Sequence, residues 1–109
     1  MRDTMTAAEI AATRHLIGLS QAELADVLNV NRHSVKDWEA GRFAARQGVV
    51  SDLMALRAQH EAELTQMVQR AKQSPIAIPN GPRPRGWYLA LGARLLDRLP
   101  DVQIEWKTQ

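Results

Sequence analysis

Apolar residues recur at intervals of three and four through most of the chain, and only the last few positions alternate. Ile10 and Ile17 fall on one face of a first segment, residues 6 to 17, with Arg14 between them at i+4 from Ile10. Thr6 followed by Glu9 makes a capping box, in which the hydroxyl and the carboxylate each satisfy the other's orphan backbone N–H, so a helix starts there. Ser20 and Glu23 repeat the device ahead of Leu24, Ala25 and Leu28, which predicts a second helix from Gln21. It should stop at Asn29, because asparagine tolerates positive φ, and Val30 should anchor the turn. Asn31 is a good N-cap for a third helix in which Val35 and Trp38 share a buried face, and Gly41 ends that helix. Helices of about eight residues are marginal alone in water, so the three must pack on one another, with Leu24, Ala25, Leu28, Val30, Val35 and Trp38 in the core.

Beyond Gly41, Phe43-Ala44-Ala45 leads into a long helix from about Val49 to Gln73. Val49, Leu53, Leu56, Leu64, Met67 and Ala71 recur along it by threes and fours, and His60 interrupts the stripe. The stripe is longer than a three-helix bundle covers, which leaves two partners open: the C-terminal segment folding back, or a second subunit. In residues 74 to 109, Pro75–Pro79 reads as extended, Asn80–Gly86 holds turn signals, and Trp87–Leu99 has helical spacing closed by Pro100. Val102, Ile104 and Trp106 alternate with Gln103, Glu105 and Lys107, the period of a strand with one buried face. Two isolated strands are marginal, so this strand-helix-strand unit is expected to pack across a twofold axis. Leu64, Met67, Trp87 and Leu91 are expected at that interface, together with Leu95, Val102, Ile104 and Trp106. The predicted fold is mainly α: a helical bundle, with two short helices joined by a tight turn, and a long helix over 1–73, then a small strand-helix-strand dimerisation element over 74–109.

Composition narrows the chemistry. With 109 residues, 45% of them hydrophobic and only five aromatic, the chain can bury an aliphatic core. Cysteine is absent, which removes disulfides, thiolate nucleophiles and thiolate zinc sites. His15, His33 and His60 have no metal-ligand spacing, and there is no glycine-rich phosphate loop or serine-nucleophile motif, so no catalytic residue, metal or cofactor is expected. There is no signal-peptide core and no apolar run near 18 residues, so the expected location is the cytoplasm, with no membrane partner. Net charge is +2, but no acid occurs between Leu64 and Leu96, a span that holds Arg70, Lys72, Arg83, Arg85 and Arg94. This span reads as a solvated loop, with an electrostatic footprint for nucleic acid as the alternative.

The order Arg14, Gly18-Leu19-Ser20-Gln21-Ala22-Glu23-Leu24-Ala25, Val30, Asn31-Arg32, Val35, Trp38-Glu39-Ala40-Gly41 resembles the Xre/Cro-type helix-turn-helix of phage and bacterial repressors, over roughly residues 5 to 60. The resemblance implies double-stranded DNA as partner, with the third helix in the major groove. It places Arg32, His33, Lys36 and Asp37 at base edges, Gln21, Asn31, Ser34, Arg42 and Arg46 on phosphates, and Arg14 with Glu39 in a buried structural ion pair. The residues themselves add two points. Arg32 opposes the dipole of the helix it opens and so asks for a reason outside that helix. Asp37 repels phosphate, which leaves it to accept from a cytosine amino group, to orient Arg32 or His33, or to serve structure alone.

In architecture the chain also resembles small autoregulators found beside anti-CRISPR genes, which join such a helix-turn-helix to a dimerising tail. The function expected is a homodimeric repressor of its own operon acting at an inverted repeat. Two alternatives stay open: an antitoxin whose second segment covers a toxin, and a regulator that also binds RNA by stacking bases on Trp87, Tyr88 and Trp106.

Overall fold

Both capping boxes form in the computed structural model, which describes residues 3–108. Thr6 Oγ1 accepts from the Glu9 N–H at 3.1 Å while Glu9 Oε1 accepts from the Thr6 N–H at 2.9 Å, starting α1, Ala7–Leu16. The Ser20–Glu23 pair does the same at 3.1 and 2.8 Å for α2, Gln21–Leu28. Asn29 ends α2 in the left-handed region at φ 56°, and Asn31 Oδ1 accepts from the His33 N–H at 2.8 Å to cap α3, Arg32–Glu39. Gly41, at φ 78°, closes α3. Its N–H donates to Trp38 O and that of Arg42 to Asp37 O, the paired bonds of a Schellman motif. Ile17, Leu24, Ala25 and Val35 are buried between these helices, whereas Leu28, Val30 and Trp38 are half-buried and line the edge of the core.

The long helix α4, Gln47–Ala71, begins two residues ahead of the expected Val49. Its buried face is Val50, Leu53, Leu56, His60, Leu64 and Met67, an unbroken series of three- and four-residue steps. His60 therefore continues the stripe instead of interrupting it, and Val50, not Val49, begins it. The physical reason is that both ring nitrogens of His60 have partners. Nε2 lies 3.1 Å from Trp87 O and Nδ1 2.9 Å from Arg94 Nη1, and the ring stands edge-on to Trp87 with centroids 4.6 Å apart. As a neutral ring that donates through Nε2 and accepts at Nδ1, it can lie in the core without an orphan polar atom.

The stripe on α4 is covered by the chain's own C-terminal segment. β1, Ile76–Ile78, α5, Arg85–Arg98, and β2, Ile104–Trp106, follow in that order. The strands pair in parallel, Ile76 opposite Ile104 and Ile78 opposite Trp106, a pairing that needs a crossover and finds it in α5. Because α5 packs on both α4 and β1, Leu64, Met67, Trp87, Leu91 and Leu95 are core residues of a single protomer. This corrects their expected place at a subunit interface: the apolar faces of α4 and α5 meet each other within one chain. Of the remaining three, Val102 and Ile104 are half-buried and Trp106 is 42% exposed. One hydrophobic cluster runs from Ile10 to Leu95, so the boundary at 73/74 divides the chain but not the core.

The acid-free span is also more structured than a solvated loop. Arg94 sits on α5 with its guanidinium on His60 and Glu61, and Arg98 joins it on Glu61 at 2.7 Å. Arg83 bonds Gln59 at 2.8 Å and lies over the Trp87 ring, while Arg85 stacks 3.9 Å from the centroid of Trp106. Trp87 and Tyr88 are buried and thus withdrawn from base stacking.

The two ends of the chain are joined at one backbone contact. A Cβ placed on Gly18 would lie 2.0 Å from Gly86 O, and one on Gly86 would lie 2.1 Å from Gly18 O. The turn between α1 and α2 thus seats the first turn of α5. No helix among the described residues is long and apolar enough to cross a membrane.

Candidate nucleic-acid interface

The surface left by α3 follows from which of its residues the core takes. Val35 is buried and Ser34, Asp37, Trp38 and Glu39 are half-buried, while Arg32, His33, Lys36 and Ala40 are exposed. The first three fall at i, i+1 and i+4 on one side of the eight-residue helix, and Ala40, its C-cap, continues that side at i+8. The first turn of α3 contains no acid, and Arg32 has its charge in the open beside the N-terminal N–H groups, unrelieved by any ion pair among the described residues. Asn31 is exposed, with its side-chain oxygen used as the cap. Arg42 and Arg46 stand exposed just past the helix and extend the same positive surface.

Asp37 meets neither Arg32 nor His33. Its half-buried carboxylate lies 3.5 Å from Arg42 Nη1, whose side chain is exposed. An ion pair this open to water contributes little to stability. Its effect here is to bias where the Arg42 side chain points.

Behind the surface a three-helix clamp sets the angle of α3. Arg14, from α1, donates through Nε and Nη2 to the two oxygens of Glu39 at 2.6 and 2.8 Å, and through Nη1 to Leu19 O at 3.1 Å. Gln21, the first residue of α2, donates Nε2–H to Glu39 Oε1 at 3.1 Å. One carboxylate at the end of α3 is thereby tied to α1 and to the start of α2, with side chains only 12% and 8% exposed for Arg14 and Glu39. Burial pushes the Glu39 pKa up, but the hydrogen bonds from Arg14 and Gln21, helped by the Arg14 charge, outweigh it and hold the carboxyl below the usual glutamate range. The hydrogen bonds to Glu39 raise the pKa of Arg14 against the opposing pull of burial, so the pair stays ionised.

The family resemblance placed Arg14 with Glu39 but gave Gln21 to phosphate and missed that it also leans on the same carboxylate, since the two lie 18 residues apart and glutamine carries no periodic signal. An amide NH2 has two hydrogens. Gln21 spends one on Glu39 and keeps the other for a further acceptor at the mouth of α2. Phe43 was also missed: it lies between Arg42 and Arg46 and is 67% exposed, the most open of the large apolar side chains among the described residues.

A second surface lies at the far end. Leu89, Leu96 and Trp106 are exposed on α5 and β2, and Leu89 and Trp106 border a cavity of about 180 Å³ lined also by Ile78, Tyr88, Gly92, Ile104 and Glu105. Gly92 keeps that cavity open, because a Cβ there would close to 3.3 Å of Ile78 Cδ1. Among the described residues no three histidine or acidic side chains gather where a metal ion would fit.

No curated protein and no solved structure gives a significant match to the chain. A family model does match, over residues 5–108, a span that takes in the three-helix clamp, the long helix and the strand-helix-strand unit together. With a capped helix-turn-helix at one end and a covering C-terminal unit at the other, both inside that match, the chain belongs to the Aca2/YdiL-like family of small regulators.

Proposed function

We propose that this chain is an Xre/Cro-type, sequence-specific binder of double-stranded DNA that acts in the cytoplasm as a homodimeric repressor of its own operon, without catalytic activity. The observation that carries the reading is the exposure of Arg32, His33 and Lys36 on one side of a helix whose angle is clamped from behind through Glu39. A rigid helix with a solvated, cationic, hydrogen-bonding first turn suits the major groove, where base edges present acceptors to arginine. Arg32, His33 and Lys36 would read bases, with Asp37 disposing Arg42. Gln21, Asn31, Ser34, Arg42 and Arg46 would hold phosphates, which position the protein without reading sequence.

Selection of bound sequences from a random duplex library at about 150 mM salt, with a random RNA pool in parallel, tests this reading. Enrichment of an inverted repeat with half-sites about 34 to 36 Å apart supports a twofold reader. Absence of any enriched duplex removes it, and enrichment in the RNA pool alone assigns a different polymer. Two substitutions then separate the roles. Arg32→Ala should cost about 1 to 3 kcal/mol on the operator and relax the preference at one base position. Arg42→Ala should weaken operator and random duplex alike and flatten the salt slope by about one. Equal behaviour of the two variants in a salt titration contradicts the division of labour.

The dimer contact is read as the exposed apolar surface of Leu89, Leu96 and Trp106, now that α4 and α5 have spent their main stripes on each other. Trp106→Asp should leave the protomer folded, shift its sedimentation to that of a monomer, and weaken operator binding through lost bivalency. A variant that still sediments as a dimer rules out that surface.

A further inference from the structure

We propose that Phe43 is an apolar DNA contact, seated on the deoxyriboses of the strand that borders the groove. This rests on the duplex-binding reading above. The ring is 67% exposed and belongs to the only phenylalanine in the chain. It is not carried on a loose loop: the Schellman bonds of Gly41 and Arg42 fix the path of the chain up to the residue before it. Its nearest surroundings are an open cleft between the end of α3 and the start of α4, shared with Ser34, Asp37, Trp38, Ala44 and Arg46, in which the one acid, Asp37, is paired with Arg42.

Charge decides between a protein and a nucleic-acid occupant. The cores of protein–protein contacts are depleted of charged groups, but here the ring is bracketed in sequence by two exposed arginines, Arg42 and Arg46. A polyanion satisfies both at once. Distance decides between base and backbone. Eight residues of helix carry the chain about 12 Å from Arg32 to the far end of α3, just past which Arg42 is read as a phosphate contact. If Arg32 at the start of α3 reaches base edges, a residue just beyond its other end lies over the bordering backbone. There the accessible apolar surface is sugar, and arginines on the phosphates to either side would press the ring against it. The exposed line Arg32, Lys36, Ala40 leads along α3 to this point, so the contact continues the cationic face instead of forming a separate one.

The apolar character of the contact gives it a signature that neither neighbour shares. Phe43→Ala should weaken binding by about fivefold, the effect of removing a partly buried ring. It should do so equally on the selected operator and on random duplex, with an unchanged slope of log affinity against log salt, since no counterion exchange is lost. Phe43→Leu should restore most of the affinity, whereas Arg42→Ala must change the slope. Fluorescence anisotropy over a salt series reads all of these, with circular dichroism confirming that the exposed substitution leaves the fold intact. Unchanged affinity of Phe43→Ala overturns the proposal. So does a changed salt slope, a loss confined to the operator, or a dimer that falls apart, because each assigns the ring another role. A wild-type protein that binds no duplex overturns the DNA reading itself, and is told apart because the failure is then independent of residue 43.

Discussion

Gly18→Ala is expected to destabilise the protein by about 3 kcal/mol, the sum of left-handed backbone strain and overpacking. Gly18 has φ +77°, where an L side chain is strained whatever the space around it. Here there is also no space: the new methyl would lie 2.0 Å from Gly86 O, 2.6 Å from Gly86 C and 2.9 Å from Ala90 Cβ. Two of these are backbone atoms in the first turn of α5, so the clash cannot be relieved by turning a side chain. Either the α1–α2 turn or the seating of α5 must give way. For a chain of this size the loss should lower the melting temperature by about 12 to 20 °C. Gly48→Ala is the matched control, because nothing lies within 4 Å of its added Cβ. It lies in the first turn of α4 and should stabilise by about 0.5 to 1 kcal/mol. Thermal melts of both variants decide the matter, and a Gly18→Ala protein as stable as wild type would show that the close contact between the two ends is not maintained in solution.

That contact also marks where legibility in the sequence ended. Features set by neighbours a few residues away could be read directly: the Thr6–Glu9 and Ser20–Glu23 boxes, the left-handed Asn29, the Asn31 cap and the Gly41 stop all formed as expected. The order strand, helix, strand was equally plain, because alternation and three-four spacing are properties of single segments. Which segment covers which was not. Leu64 and Leu95 are apolar in the same way whether they face their own chain or a second copy, and nothing in either stripe states the distance to its partner. His60 counted as a break because periodicity scores imidazole as polar, while its partners, a carbonyl on Trp87 and a guanidinium on Arg94, lie 27 and 34 residues away. Gly86 had no signal at all, since only the approach of Gly18 O makes a side chain intolerable there. For the candidate interface the result was similar. The chemistry of Arg32 and Arg42 was legible, but the coupling of Asp37 to Arg42 and of Gln21 to Glu39 required the fold.

Glu39→Gln should cost about 3 kcal/mol at neutral pH, near the lower end for removing one partner of a buried ion pair, because the pair is not wholly dry. The substitution keeps the shape but leaves the Arg14 guanidinium largely buried without its counter-charge, and it sets an NH2 where one of the two acceptor oxygens had met Arg14. The pH dependence identifies the cause. The folded Glu39 carboxyl is held below its ordinary range, so its contribution is complete above the unfolded value of about 4.3 and is lost as pH falls through the folded value. His60 acts at a higher pH. Burial, with the Arg94 charge adding to it against the pull of the Trp87 carbonyl, lowers its pKa, so the unfolded chain takes up that proton first. Stability in both proteins should therefore begin to fall below about 6.5, the ordinary imidazole value, until the folded ring is itself protonated. Urea unfolding from pH 8 to pH 3 should show this His60 phase equally in wild type and in Glu39→Gln. The gap between the two should stay open through it and close only below the glutamate range, where the wild-type carboxyl is protonated and resembles the amide. A gap that is constant at all pH values would mean that the charge of Glu39 is not what holds α3 to α1. In that event the angle of the exposed Arg32 face would have to be set by packing around Val35 alone.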